Sequence, residues 1–181
     1  MRNRSLYNML LSALFLAMGM VFPILTMQIK EIGDSLLPMH LPVMLCGLIC
    51  GWKYGFAVGF LLPFLRSVIF SMPPLYPNAV WMAFELAAYG FTIGFMYARL
   101  NKRSIGAVYA SLAVSMVAGR VMWGITKALL LGVAGKAFPM QAFIAGGFVD
   151  ALPGMILQLI LVPSIFIIYQ KIVGRNRTTA K

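Results

Sequence analysis

Five ionisable side chains stand inside runs of apolar residues, and they are the first candidates for chemistry: Arg66, Glu85, Arg120, Lys127 and Asp150. An Arg, Lys or Asp at the centre of a membrane helix costs about 2.5–3.5 kcal/mol on insertion scales. Residues this costly are retained where they pair with one another or with a ligand. We therefore expect the five to mark a binding site.

Helical spacing relates these charges to polar and aromatic neighbours, because residues three, four or seven apart share a face. Three such faces are predicted: Arg120 with Trp123 and Lys127, Glu85 with Met82 and Tyr89, and Asp150 with Gly154 and Gln158. If the faces converge, they line a wet, amphipathic cavity of the kind that binds small molecules. Together with Arg66, their polar and aromatic members are the predicted substrate-binding residues.

A purely structural interpretation of the same residues stays open. Arg120 with Glu85, and Arg66 or Lys127 with Asp150, would be ion pairs that hold the helices together. Both roles can coexist. Three cations against two carboxylates leave an excess of one positive charge, which suits a monoanionic ligand such as a carboxylate.

The remaining candidate ligands are one histidine and two cysteines. His40 lies at the predicted mouth of the cavity, where it is either a substrate ligand or a hydrogen-bonded residue at a helix end. Cys46 and Cys50 are four residues apart on an apolar helix, but a metal site needs further ligands. We interpret them as packing residues, and no metal or cofactor is predicted.

The elements that position these residues are membrane helices. The chain is 61% hydrophobic and only 10% charged, which is outside the range of soluble domains. We predict an all-α bundle of six transmembrane helices in a single domain over residues 1–181, with spans at roughly 5–28, 38–52, 55–71, 78–98, 105–131 and 150–170. The basic, apolar amino terminus is too long for a signal peptide and is interpreted as the first helix.

The connections between the spans also carry information. Loops 30–40 and 71–78, the second stiffened by prolines, are predicted to close the cavity. The apolar range 132–149 is re-entrant, interfacial or the start of the sixth helix. Small residues that recur every four positions are predicted to let helices two and three pack closely; they are Gly47, Gly51, Gly55 and Gly59.

Basic residues fix the predicted orientation. With the amino terminus inside, one side collects ten of them: Arg2, Arg4, Lys53, Arg99, Lys102, Arg103, Lys171, Arg175, Arg177 and Lys181. The other side holds Lys30 and Lys136. This bias predicts a multi-pass cell-membrane protein with both termini cytoplasmic. The net charge of +11 is thereby explained by topology and attraction to lipid, and no nucleic acid is predicted as a partner.

Motifs for self-contained chemistry are missing from the sequence. The segment Gly132–Ala137 resembles a phosphate-binding loop, but GxxxxGK[ST] requires glycine where the chain has Leu130 and a hydroxyl where it has Ala137. There is also no zinc-protease motif and no GxSxG. An enzyme is therefore disfavoured, and active transport would need an external energy source.

From about Ser5 to Lys171, the sequence resembles the substrate-specific membrane component (S component) of energy-coupling factor (ECF) transporters. The likeness rests on four stretches: "LPMHLPVMLCGLICGWKYGFAVG", "SMPPLYPNAVWMAFELAAYGFTIG", "SLAVSMVAGRVMWG" and "LPGMILQLILVPSI". Within the family, "MPP" and "EL..YG" followed by "GR" look most like the pantothenate branch. Other branches carry cobalamin, pyridoxine-type compounds or folate.

The resemblance implies a six-helix bundle with a vitamin site that opens outward. Ligand contacts would come from helices four to six and the outer loops. The partners would be a membrane scaffold protein and two cytoplasmic ATPases, and helices one to three would face the scaffold through an Ala-x-x-x-Ala pattern in helix one. That pattern is present as Ala13 and Ala17.

The leading hypothesis is therefore the binding subunit of an ATP-driven vitamin importer, in which Arg120 pairs with the anionic group of the substrate. The alternative is a self-sufficient secondary transporter of a small organic anion, coupled to an ion gradient through Glu85 or Asp150. A membrane enzyme or assembly scaffold is the third possibility.

Overall fold

The computed structural model describes residues 4–25, 37–100, 104–135 and 137–178. Within these ranges the chain is helical and has no strand, which confirms the predicted all-α membrane bundle. The helices are α1 (Arg4–Leu25), α2 (His40–Cys50), α3 (Trp52–Phe70), α4 (Val80–Arg99), α5 (Ile105–Val133), α6 (Met140–Ile144) and α7 (Leu152–Thr178). The predicted end of the first span at 26–28, most of loop 30–40 and the basic residues Arg2, Lys30, Lys102, Arg103, Lys136 and Lys181 lie outside the described residues.

Helices alternate in direction between two ends of the bundle. We call the end with the turn between α2 and α3 the Gly51 end, and the opposite end the His40 end. α1 starts at the Gly51 end, where the Asn8 side-chain amide donates to the Cys50 carbonyl (3.4 Å). The last helix returns there, and the Gln170 amide donates to the Tyr97 hydroxyl on α4 (3.0 Å).

α2 differs from the other main helices in length and burial. The described residues include five helical stretches that are long and apolar enough to cross a membrane, whereas α2 has only 11 residues. At 1.5 Å per residue it is about 17 Å long, roughly half the hydrocarbon thickness of a bilayer. All its side chains except Ile49 are buried. Its first residue, His40, therefore lies inside the bundle rather than at the membrane surface.

Glycines bring α2, α3 and α4 into backbone contact. A Cβ atom on Gly55 would lie 2.5 Å from the Gly90 carbonyl oxygen, and one on Gly47 would lie 2.6 Å from the same oxygen. Gly59 meets the backbone of Leu86 in the same way. This confirms close packing at three of the four predicted glycines, since small residues let membrane helices approach.

Gly51 has a different role from the packing predicted for it. Its φ is +98° and a Cβ atom there would meet nothing within 4 Å. A positive φ is readily adopted only by glycine, so this residue forms the sharp turn between α2 and α3. The four-residue spacing of the glycines continues through this turn. Because the turn separates α2 from α3, the spacing does not define one shared helix face there.

The range 132–149 contains α6 and a wide turn. The Asp150 backbone N–H donates to the Ala145 carbonyl (2.9 Å), five residues back. The Phe143 ring of α6 occupies the position that a Cβ atom of Gly124 on α5 would take. The segment is therefore a separate short element that packs on α5 at the His40 end and leads into α7.

The glycine contacts yield a stability prediction. Gly55→Ala should destabilise the bundle by about 1–3 kcal/mol, because the added methyl group overlaps the Gly90 backbone and the helices must separate. Thermal unfolding in detergent measures the effect. Gly132→Ala is the control, since a Cβ atom there meets nothing within 4 Å; it should leave the melting temperature unchanged or slightly higher. Equal losses in the two variants would contradict the packing role.

Candidate functional site

Glu85 is the centre of a buried polar cluster built by three helices. Its Oε1 atom accepts hydrogen bonds from Arg120 Nη1 (3.0 Å) on α5 and from His40 Nε2 (3.1 Å) on α2. The three residues are only 2–3% exposed. The ion-pair interpretation of Arg120 and Glu85 is thus realised, and His40 joins the pair from the shortened helix.

Tyr89 lies one helical turn after Glu85 on α4 and extends the cluster. Its ring meets the His40 ring edge-on, with centroids 4.8 Å apart and an interplanar angle of 87°. A Cβ atom on Gly119 would overlap the Tyr89 ring, so this glycine lets α5 approach α4 and brings Arg120 beside the tyrosine. Gly119 was not predicted to be important for the site, although its position directly before Arg120 indicated close packing beside that residue.

Several buried polar atoms of the cluster have no hydrogen-bond partner within the described part of the chain. They are His40 Nδ1, the Tyr89 hydroxyl, and Nε and Nη2 of Arg120. Nε and Nη2 form one edge of the planar guanidinium, and this edge donates two parallel hydrogen bonds to a carboxylate. Glu85 engages Nη1 and leaves that edge available.

Gln158 on α7 is a second buried group with unpartnered atoms. It is 1% exposed, and neither its amide nitrogen nor its amide oxygen has a partner among the described residues. α7 packs against α2 and α5, so the side chain belongs to the bundle interior. An amide offers both a donor and an acceptor, and leaving both buried without partners is costly. Gln158 is therefore available to a polar ligand group.

Lys127 and Trp123 form an aromatic group nearer the His40 end of α5. The Lys127 ammonium lies 4.4 Å from the Trp123 ring centroid, 5.2 Å from that of Trp81 and 5.4 Å from that of Phe138. Ammonium groups are attracted to aromatic faces at these distances. Trp123 also stacks on Phe143. Trp81, Phe138 and Phe143 were not predicted. The position of Trp81 depends on how α4 packs against α5, and those of Phe138 and Phe143 depend on how the range 137–149 folds back onto α5.

Two predicted site residues lie apart from this cluster. Nη1 of Arg66 donates to the Met20 carbonyl on α1 (2.8 Å), and its guanidinium lies over the Phe70 ring. Arg66 therefore connects α1 to α3. Asp150 is exposed in the wide turn before α7. The structure thus brings together His40, Glu85, Tyr89 and Arg120, and places Trp123 and Lys127 further along the same helix as Arg120.

No metal centre is built by the described residues: no group of three or more His, Cys, Asp or Glu side chains among them lies close enough together to hold an ion. Cys46 and Cys50 are buried, free thiols. The chemistry that the cluster can perform is recognition by hydrogen bonds and charge.

Comparison with known proteins gives a family match. The family model described as "ECF transporter, substrate-specific component" matches residues 8–166, which include all the helices except the first residues of α1 and the end of α7. Searches of curated proteins and of solved structures gave no match.

The shared oxygen of Glu85 yields a second prediction. Glu85→Ala should destabilise the protein by about 3–5 kcal/mol, because Arg120 would be left as a buried charge without its partner. The double variant Glu85→Ala/Arg120→Ala should be less destabilised than the sum of the two single variants. Unfolding in mixed detergent micelles measures the three free energies.

Asp150→Asn is the matched control for removing a carboxylate. Its side chain is exposed, so the change should stay within about 0.5 kcal/mol. If the losses of unfolding free energy in the two single variants add up to the loss in the double variant, the Glu85 and Arg120 side chains do not depend on each other.

Proposed function

The chain belongs to the family of substrate-specific components of ECF transporters, and from this premise we propose that it binds a small monocarboxylate vitamin or vitamin precursor. The protein is a multi-pass membrane protein and a transporter subunit. The specific substrate that we propose is pantothenate. The observation that carries the proposal is the unpartnered Nε and Nη2 edge of buried Arg120.

The polar groups of the cluster suit the functional groups of such a substrate. A carboxylate on the Arg120 edge would share the guanidinium with Glu85, and bidentate pairing would fix its orientation. Gln158, the Tyr89 hydroxyl and His40 Nδ1 offer donors and acceptors for amide and hydroxyl groups, which pantothenate also carries. Trp123 and Lys127 would complete the site as an apolar wall and a further positive charge.

The positive charges of the predicted site residues support an anionic substrate, although one of these charges is already paired. Glu85 already neutralises Arg120 within the cluster. The other two cations of the predicted site are Lys127, seven residues or about 10 Å from Arg120 along α5, and Arg66 near α1. We propose that Lys127 contributes long-range attraction and that Arg66 and Asp150 contribute little to substrate contact.

The transport cycle that we propose needs partner proteins. The partners are a membrane scaffold and two cytoplasmic ATPases, and the Gly51 end, which carries most of the basic residues, faces the cytoplasm. The scaffold would contact α1 through Ala13 and Ala17. Both are exposed, and they stand beside Leu10 and Leu14, which are 62% and 55% exposed.

Substrate binding provides the third prediction. Arg120→Ala should raise the Kd for labelled pantothenate at least tenfold, or about 1.4 kcal/mol. Arg120→Lys keeps the charge but loses the two-donor edge, so it should also weaken binding. Equilibrium binding to purified protein measures both, and Lys171→Gln, a charge change at the Gly51 end, is the control.

Three outcomes would contradict the assignment. Unchanged affinity in folded Arg120 variants would remove Arg120 from the site. A different molecule identified by mass spectrometry of the copurified ligand would replace pantothenate. Uptake by the protein alone in proteoliposomes, driven by an ion gradient, would favour the secondary transporter.

Docking provides the fourth prediction. Ala13→Leu/Ala17→Leu should reduce copurification with the scaffold and ATPases while substrate affinity stays unchanged, because larger side chains keep the helices apart. Ala110→Leu, at an exposed alanine of α5, is the matched control. Normal complex formation by the α1 variant would place the scaffold contact on another helix.

A further inference from the structure

Two groups of aromatic rings lie on the outside of the bundle where α3 and α4 meet. On α3, Phe60 lies between Phe56 and Phe64 at ring distances of 6.1 and 5.5 Å. On α4, Phe91 stacks on Phe95 at 5.5 Å. The ring contacts between the two helices are Trp52–Phe91 and Phe60–Phe84, so each row also contacts one ring of the other helix. We call this surface the aromatic seam; it consists of Trp52, Phe56, Phe60, Phe64, Phe84, Phe91 and Phe95.

The seam exists because glycines bring its two helices together. Gly55 meets the Gly90 backbone and Gly59 meets the Leu86 backbone on the inward side. Rings on the outward side therefore stand next to each other instead of being separated by lipid. Large parts of the seam are uncovered, with Trp52 38% and Phe91 37% exposed.

Two cations lie at one end of the seam. The Lys53 ammonium is 5.5 Å from the Trp52 ring centroid, and the Arg99 guanidinium is 4.8 Å from that of Phe95. Both side chains are exposed and both lie at the Gly51 end. The aromatic rings thus hold the cations beside the apolar surface.

No acidic side chain among the described residues is placed to neutralise them. The sequence has four acidic residues, Glu31, Asp34, Glu85 and Asp150. Two of them belong to the described residues: Glu85 pairs with His40 and Arg120, and Asp150 lies in the turn before α7 at the opposite end of the bundle. The two cations are therefore complementary to an anionic partner from outside the chain.

The dimensions of the seam indicate what that partner is. From Trp52 to Phe64 the helix rises about 18 Å, slightly more than half of the roughly 30 Å hydrocarbon thickness. A molecule with an anionic head and an apolar tail one leaflet long fits this arrangement. We propose that the aromatic seam with Lys53 and Arg99 is a binding site for an anionic glycerophospholipid, independent of which substrate the protein carries.

Native mass spectrometry tests the proposal directly. Delipidated protein is mixed with equal amounts of phosphatidylglycerol and phosphatidylcholine that have the same acyl chains. The protein should retain phosphatidylglycerol preferentially. Lys53→Gln/Arg99→Gln should reduce that preference at least about tenfold, since each basic residue near the membrane surface contributes about a fivefold preference. Lys171→Gln, another exposed cation at the same end, should keep the preference.

Two results would overturn the site. Equal retention of the two lipids by the unmodified protein would remove the anionic preference, and equal losses in Lys171→Gln would show that only net charge matters. A third result would assign the surface to a protein: loss of scaffold copurification in Lys53→Gln/Arg99→Gln with the lipid preference unchanged.

Fluorescence provides a measurement that needs no change at Lys53 or Arg99. The fluorescence contributed by Trp52 is the difference between the emission of the unmodified protein and that of Trp52→Phe. In phosphatidylcholine vesicles, brominated phosphatidylglycerol should quench this contribution more strongly than the same fraction of brominated phosphatidylcholine. Equal quenching would contradict the proposal even if the charge variants failed to fold.

Discussion

A single carboxylate oxygen determines how the bundle interior is organised. Glu85 Oε1 accepts from Arg120 and from His40, so three helices meet at one buried atom. Removing one partner of such an ion pair leaves the other as a buried charge without compensation. This makes the relative positions of α2, α4 and α5 mutually dependent, and it orients Arg120 so that one edge of its guanidinium stays open.

Close helix packing is what makes that meeting possible. Gly119 admits the Tyr89 ring, while Gly47, Gly55 and Gly90 bring the backbones of α2, α3 and α4 together. The same contacts create the aromatic seam on the outer surface. Glycine-mediated helix contacts therefore support both the polar cluster inside the bundle and the aromatic seam outside it. A substitution at these glycines would disturb both.

The polar cluster combines stability with recognition. Pairing with Glu85 offsets much of the cost of burying Arg120, and the atoms left over on Arg120, Tyr89, His40 and Gln158 can bind a ligand. A substrate that satisfies them would stabilise the folded protein by an amount that depends on its concentration. Tight capture of a scarce nutrient is the behaviour that a binding subunit of an importer needs, and the family membership assigns the chain to that class.

The sequence by itself determined the class of protein, the number of main helices and three residues with buried charge, Arg66, Glu85 and Arg120. These follow from local properties: apolar run length, turn residues, and the spacing that puts Arg120, Trp123 and Lys127 on one face. It also offered the pairing of Arg120 with Glu85 as one of two interpretations of these charges, and the structure contains that pair.

Only the tertiary structure decided which partners meet across helices. His40 reaches Glu85 because α2 begins within the bundle, and Arg66 turns to the Met20 carbonyl on α1 instead of the cluster. Gly51 forms a turn instead of a packing contact, and Asp150 is exposed instead of lining the site. Periodicity fixes the face of a helix on which a side chain lies, but the rotation and depth of that helix depend on contacts with all its neighbours at once.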